Sequence, residues 1–188
     1  MKIAKFAKNK LNINKKNIAL IGHMGSGKTT LAKILAKELK IKHIDTDKLI
    51  EKNQKKSISE IFIEKGEKHF RKLEEKIILD IPNQQNLIIS LGGGSILSPI
   101  VRKKLKKEFV TVYLEVDLAI IVERLKKNNK RPLLYNVNIE DKIKELDFQR
   151  KKYYLSSDIK LKNHFNFNSI LDEFNVKYKN HYEKNYKN

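Results

Sequence analysis

The segment Gly22-His23-Met24-Gly25-Ser26-Gly27-Lys28-Thr29 constrains this chain more than any other. It follows directly on the apolar run Ile18-Ala19-Leu20-Ile21, which suits a buried central strand. Leu31, Ile34, Leu35 and Leu39 then recur at helical spacing, so a helix begins near Lys28. Strand, glycine turn and helix in that order are the setting in which a G-x-x-x-x-G-K-[ST] loop wraps phosphate. Glycines at 22, 25 and 27 let backbone N–H groups turn inward around phosphate oxygens, and the helix N-terminus faces the same anion. Lys28 is placed to reach the β- and γ-phosphates, and the Thr29 hydroxyl to bind Mg²⁺. The alternative, a tight glycine turn with no ligand, would not need that strand and helix around it.

Further along, apolar runs alternate with amphipathic stretches. A short strand around 42–44 leads to Asp45-Thr46-Asp47, and Ser57-Ile58-Ser59-Glu60 has the spacing of a capping box that opens a helical region, with a break at Gly66. Leu87 to Leu91 reads as a buried strand stopped by Gly92-Gly93-Gly94, Pro99 as a helix start, and Phe109 to Leu114 as another strand. Helices are predicted over 117–127, 139–155 and 169–180, a last strand over 159–161, and a polar, mobile loop over 128–138. The pattern predicts an α/β, three-layer fold: a central five-stranded parallel sheet flanked by helices, with a mobile lid. Residues 1–15 read as a basic N-terminal extension, 16–181 as a single domain, and 182–188 as a frayed tail.

Composition narrows the partners. The net charge is +19, but the lysines are spread along the whole chain rather than gathered in one stripe with aromatics between them. That argues against specific nucleic-acid binding and fits small anionic substrates. No cysteine is available for disulfides or thiolate metal sites, and no apolar run is long enough to span a bilayer. A cytoplasmic monomer is expected.

The loop fixes the nucleotide and leaves the reaction open. Asp45 and Asp47 stand two apart, which in extended chain puts both carboxylates on one side. One could hold the water shell of a metal while the other addresses an acceptor hydroxyl; an exposed acidic turn is the alternative. Arg71 and Glu74, in Phe70-Arg71-Lys72-Leu73-Glu74-Glu75, lie one helical turn apart, as an oriented guanidinium or as a surface ion pair. The three glycines after Ser90-Leu91 bare backbone N–H groups at a strand's C-terminal end, where ligands approach closely. Arg131-Pro132-Leu133-Leu134 sits in the predicted lid, where an arginine could neutralise charge on a transferring phosphoryl group.

In order and spacing, from about Lys16 to Leu161, these motifs resemble the shikimate kinase family. The resemblance implies ATP and shikimate as substrates and Mg²⁺ as cofactor. It assigns Gly25, Ser26, Gly27, Lys28, Thr29 and Thr30 to ATP, with Arg124 near the adenine and Arg131 on the phosphates. Thr29 and Asp45 are implied to hold the metal, and Asp47, Arg71, Gly93 and Arg150 to bind shikimate. Lys28, Asp47 and Arg131 are the implied catalytic residues, with Asp47 the candidate base.

Two stretches depart from the family pattern. Lys151-Lys152 replaces the usual proline and leucine after the second clamp arginine. Phe165-Asn166-Phe167 stands where arginine and proline often meet adenine, so no adenine contact is assigned there. Two other readings remain: another P-loop small-molecule kinase of gluconate or nucleoside monophosphate type, and a silent nucleotide- or nucleic-acid-binding module.

Overall fold

A computed structural model describes residues 17–83, 86–127, 132–164 and 166–186. The predicted N-terminal extension and Arg131 lie outside the described residues. Five strands form one sheet: β1 (Asn17–Ile21), β2 (Lys42–Asp45), β3 (Leu87–Ser90), β4 (Phe109–Glu115) and β5 (Ile159–Lys162). Their spatial order is β2-β3-β1-β4-β5, and every pairing is parallel. β1 is central, with Ile18 opposite Ile88 on one side and Val110 on the other.

Seven α-helices among the described residues cover the two faces: α1 (Lys28–Leu39), α2 (Thr46–Gln54), α3 (Ile58–Asp80), α4 (Pro99–Glu108), α5 (Leu118–Lys126), α6 (Ile139–Leu155) and α7 (Phe167–Tyr186). The pleat sorts the core into two layers. Ile18, Leu20, Ile88, Val110 and Val112 face Leu31 and Leu35 of α1 and Ile170 and Phe174 of α7. Ala19, Ile21, Ile89, Phe109 and Tyr113 face Ile78 of α3, Val101 and Leu105 of α4 and Tyr154 of α6. Near-continuous apolar strands are what a sheet buried on both faces requires.

The helix ends follow local chemistry. Ser57 and Glu60 form the full capping box, each side chain accepting from the other's backbone N–H. Gly66, at φ 74° and ψ 172°, breaks α3 into two helical pieces, a backbone conformation that suits glycine alone. Pro99 opens α4, with the Ser98 hydroxyl accepting from Val101 N–H.

One expectation fails. Asp45-Thr46-Asp47 is not extended chain: Asp45 ends β2 and accepts from Lys48 N–H as the N-cap of a helix that the sequence reading lacked, α2. Asp47 therefore sits in the first helical turn, so strand alternation is not what brings the two carboxylates to one side. The segment predicted as a mobile loop contains, in its described part, a 3₁₀ turn over Pro132–Leu134. Leu134 is buried there in a cluster with Met24, Ile143 and Leu146. α7 is also longer than the helix predicted over 169–180.

Candidate active site

The crossover from β1 runs to one side and that from β3 to the other, so the loops after β1 and β3 meet at the carboxyl edge of the sheet, the usual ligand crevice of an open parallel sheet. The glycine loop 22–27 leaves β1 there, and Gly92-Gly93-Gly94 leaves β3 beside it. Gly25 and Gly27 have φ of 78° and 94°, left-handed values that bend the loop back on itself before α1. Two adjoining cavities open at this edge.

The phosphate-loop cavity is lined by Gly25, Gly27, Lys28, Thr29, Thr30, Asp45 and Arg124, among others. Lys28 is buried and its Nζ donates to His23 O at 2.6 Å, lying across the loop. Thr29 Oγ1 donates to Asp45 Oδ2 at 2.7 Å, and Ser90 Oγ donates to the same oxygen at 3.2 Å. Ser26 differs from its neighbours: it is fully buried and stands behind the cavity wall. Its carbonyl accepts from Asn163 Nδ2 at 2.7 Å, which ties the loop to the segment after β5.

The arginine cavity is lined by Asp47, Phe62, Phe70, Arg71, Glu74, Gly92, Gly93, Gly94, Arg150 and their neighbours. Glu74, 2% exposed, accepts from Arg71 Nη1 at 2.8 Å and from Ser95 Oγ at 2.6 Å, so its carboxylate orients the guanidinium as the spacing suggested. Glu67 adds a second hold on Arg71, accepting from Nε at 3.1 Å and from Nη2 at 2.9 Å. Burial lowers the pKa of Arg71, but Glu74 and then Glu67 outweigh it, and the net direction is up. Arg150 is in the opposite situation. It is 1% exposed, and its Nε and Nη1 have no hydrogen-bond partner. Burial pushes its pKa down, and the charge of Arg71 adds to that direction. A desolvated guanidinium with unfilled donors on a cavity wall is suited to a bidentate anion.

The glycines are what let these charges converge. A Cβ at Gly94 would overlap the Arg71 guanidinium, and one at Gly92 would overlap Glu74 Oε1. A Cβ at Gly93 would lie 3.2 Å from Gly22 O and 3.4 Å from Arg150 Nη1, so the phosphate loop and the second arginine press on the same spot. Met24, Asp47, Gly92 and Gly93 line both cavities and mark the border where they meet. Among the described residues, every one assigned from the sequence except Ser26 lines one cavity or the other. Pro132 and Leu133, next to Arg131, line the arginine cavity.

Several contributors escaped the sequence reading. Glu67, four residues before Arg71, carried a legible i,i+4 signal. His23, Asp147, Tyr154 and Asn163 act through contacts across 61 to 137 positions, for which one sequence offers no signal.

Residues 24–175 match the family described as shikimate kinase. A shikimate kinase of Sulfurihydrogenibium sp. is 44% identical over 146 residues, covering 78% of this chain and 87% of the relative. The shikimate kinase of Acinetobacter baumannii, solved in complex with shikimate, superposes with a TM-score of 0.84 at 28% identity, covering 89% of this chain and 95% of that one. A gluconokinase of Sinorhizobium meliloti shares the fold alone, at TM-score 0.60 and 13% identity, with 91% and 95% of the two chains covered. A lysine-bearing phosphate loop set against a paired-arginine cavity, together with similarity over most of its length, makes this chain a member of the shikimate kinase family.

Proposed function

We propose that the chain transfers the γ-phosphate of ATP to the 3-hydroxyl of shikimate, giving shikimate 3-phosphate and ADP. The observation that carries this reading is that the two cavities adjoin, with Met24, Asp47, Gly92 and Gly93 lining both. A phosphate end in one cavity and a carboxylate end in the other bring a hydroxyl up to the γ-phosphate at this shared border. Arg71 and Arg150 clamp the shikimate carboxylate from two sides, one pre-oriented by Glu74 and Glu67, the other by its unfilled donors. The Gly93 N–H and the Asp47 carboxylate hold the hydroxyls, and Asp47 takes the proton of the attacking one as transfer proceeds. Lys28 leaves His23 O for the β- and γ-phosphates, where its charge is needed. Arg124 borders the nucleotide, and Arg131 is assigned to the phosphates by family resemblance.

The oxygens of Thr29 and Asp45, 2.7 Å apart, are hard donors that fit Mg²⁺. Among the described residues no group of three or more His, Asp or Glu could form a metal cage. One or two side-chain oxygens are the usual protein share in holding Mg²⁺ beside a nucleotide. Thr29 and Asp45 would hold such an ion, which would supply positive charge to offset that of the phosphates. Among the described residues no helix is long and apolar enough to cross a membrane.

An ADP-release assay with Mg·ATP tests the reaction, comparing shikimate, gluconate, AMP and no acceptor. Turnover with shikimate alone, abolished by a chelator, is expected; turnover with another acceptor overturns the substrate. The glycine cradle makes its own prediction. Gly94 has φ −92° and ψ −14°, which alanine adopts freely, so Gly94→Ala acts by displacing Arg71 and not by straining the backbone. A displacement of about 1 Å is expected to lower kcat/KM for shikimate by about 10- to 100-fold while KM for ATP holds. Unchanged shikimate kinetics would show that Arg71 does not touch the substrate.

A further inference from the structure

His23 belongs to the phosphate loop by sequence but lines neither cavity. Its ring is buried, 2% exposed, and turned toward α6. Nε2–H donates to Asp147 Oδ1 at 2.8 Å, and the ring meets Tyr154 edge-on, with centroids 5.0 Å apart at 78°. Asp147 and Tyr154 stand three before and four after Arg150, on the same helix face. Tyr154 OH in turn donates to Gly93 O at 2.6 Å. On the other side, the carbonyl of His23 is the group that receives Lys28 Nζ. One residue thus touches the lysine of the phosphate loop through its backbone and the helix of the second arginine through its side chain.

We propose that the His23–Asp147 hydrogen bond is a brace that fixes the phosphate loop against α6, making His23 a positioning residue for phosphoryl transfer. The inference rests on the assignment above of Lys28 to the phosphates and Arg150 to the acceptor. Those two groups come from elements far apart in sequence, and the loop that carries Lys28 has glycines at 22, 25 and 27, whose backbones have the widest conformational freedom. Transfer depends on an in-line approach, to which errors of about 1 Å matter by about 100-fold. The imidazole is suited to this position because burial lowers its pKa and keeps the ring neutral, with Nε2–H as donor. A charged ring would add a third cation beside Lys28 and Arg150. The cost is visible: Nδ1 is buried without a partner, which a purely structural apolar residue would avoid.

A brace that sets the distance between two bound substrates affects their reaction more than the binding of either. His23→Leu, close in size and apolar, is expected to lower kcat by about 10- to 100-fold with both KM values within about threefold. Asp147→Ala, at a more exposed helix position, is expected to give the same split and serves if the first variant folds poorly. The double variant should lose no more than either single one, because both remove one interaction. His23→Gln, which keeps an N–H at similar reach, should recover most of the loss. A fall in melting temperature with kcat unchanged in both single variants would overturn the brace, as would additive losses in the double variant. Absence of shikimate turnover by the unaltered chain would instead sink the assignment of function, and the role in transfer with it.

Discussion

Arg150→Met is expected to yield an enzyme that is more heat-stable and almost unable to hold shikimate. Both effects come from the same two observations: the guanidinium is 1% exposed, and its Nε and Nη1 have no partner. In the absence of an anion this is a poorly compensated buried charge, lying close enough to Arg71 to feel its repulsion. Replacing buried ionic groups with apolar ones of similar volume is often neutral or stabilising by about 1–4 kcal/mol. A domain of this size gains about 2–4 °C in Tm for each kcal/mol. The substrate carboxylate, conversely, loses a desolvated charge partner. Such a truncation costs about 2–5 kcal/mol, or about 30- to several thousand-fold in KM. Thermal unfolding and steady-state kinetics with shikimate as the varied substrate check the two halves. A lower Tm with an unchanged KM would mean that Arg150 serves the fold and not the ligand.

Lys28→Met is expected to act on the other parameter. Lys28 lines the phosphate-loop cavity and not the arginine cavity, so KM for shikimate should stay within a few-fold. Its charge is needed where negative charge gathers on the transferring group, and removal of one such preorganised donor costs about 10²–10³ in kcat. The folded chain loses the buried hydrogen bonds from Nζ to His23 O and, longer at 3.5 Å, to Ser26 Oγ, each worth about 1 kcal/mol at most, so Tm should fall only modestly. Single-turnover measurement at saturating ATP and shikimate isolates the transfer step. A rate within threefold of the unaltered chain would remove Lys28 from the chemistry.

Features set by a few adjacent residues could be read from the sequence. The apolar run 18–21, the glycines at 25 and 27, the Ser57–Glu60 capping box, the break at Gly66 and Pro99 at a helix start all take their expected forms. Each is decided by backbone sterics or by a hydrogen bond spanning three or four positions. The reading went wrong where one residue serves two elements. Asp45 completes β2 and caps α2 at once, so a β-like pattern ran on into what is already helix. The site divides in the same way. Lys28, Asp47, Arg71, Gly93 and Arg150 could be named from their motifs, and Glu74 from its spacing to Arg71, whereas the groups that hold the site from distant elements could not. Asp147 meets His23 across 124 positions and Asn163 meets Ser26 across 137, distances that only the folded sheet closes. Glu67 was within reach of sequence reasoning, since its i,i+4 relation to Arg71 is helical.

Four residues, two of them glycines, line both cavities, so the phosphate and arginine ends of the site adjoin directly. A single inhibitor carrying a carboxylate at one end and a polyphosphate at the other could therefore lie across Gly92 and Gly93 with only a short spacer between its halves. Joined in this way, the halves lose translational freedom once instead of twice, and the second docks at a high effective concentration. The phosphate end would supply contacts that any P-loop kinase offers. Selectivity for this enzyme would come from the end that meets Arg71 and Arg150.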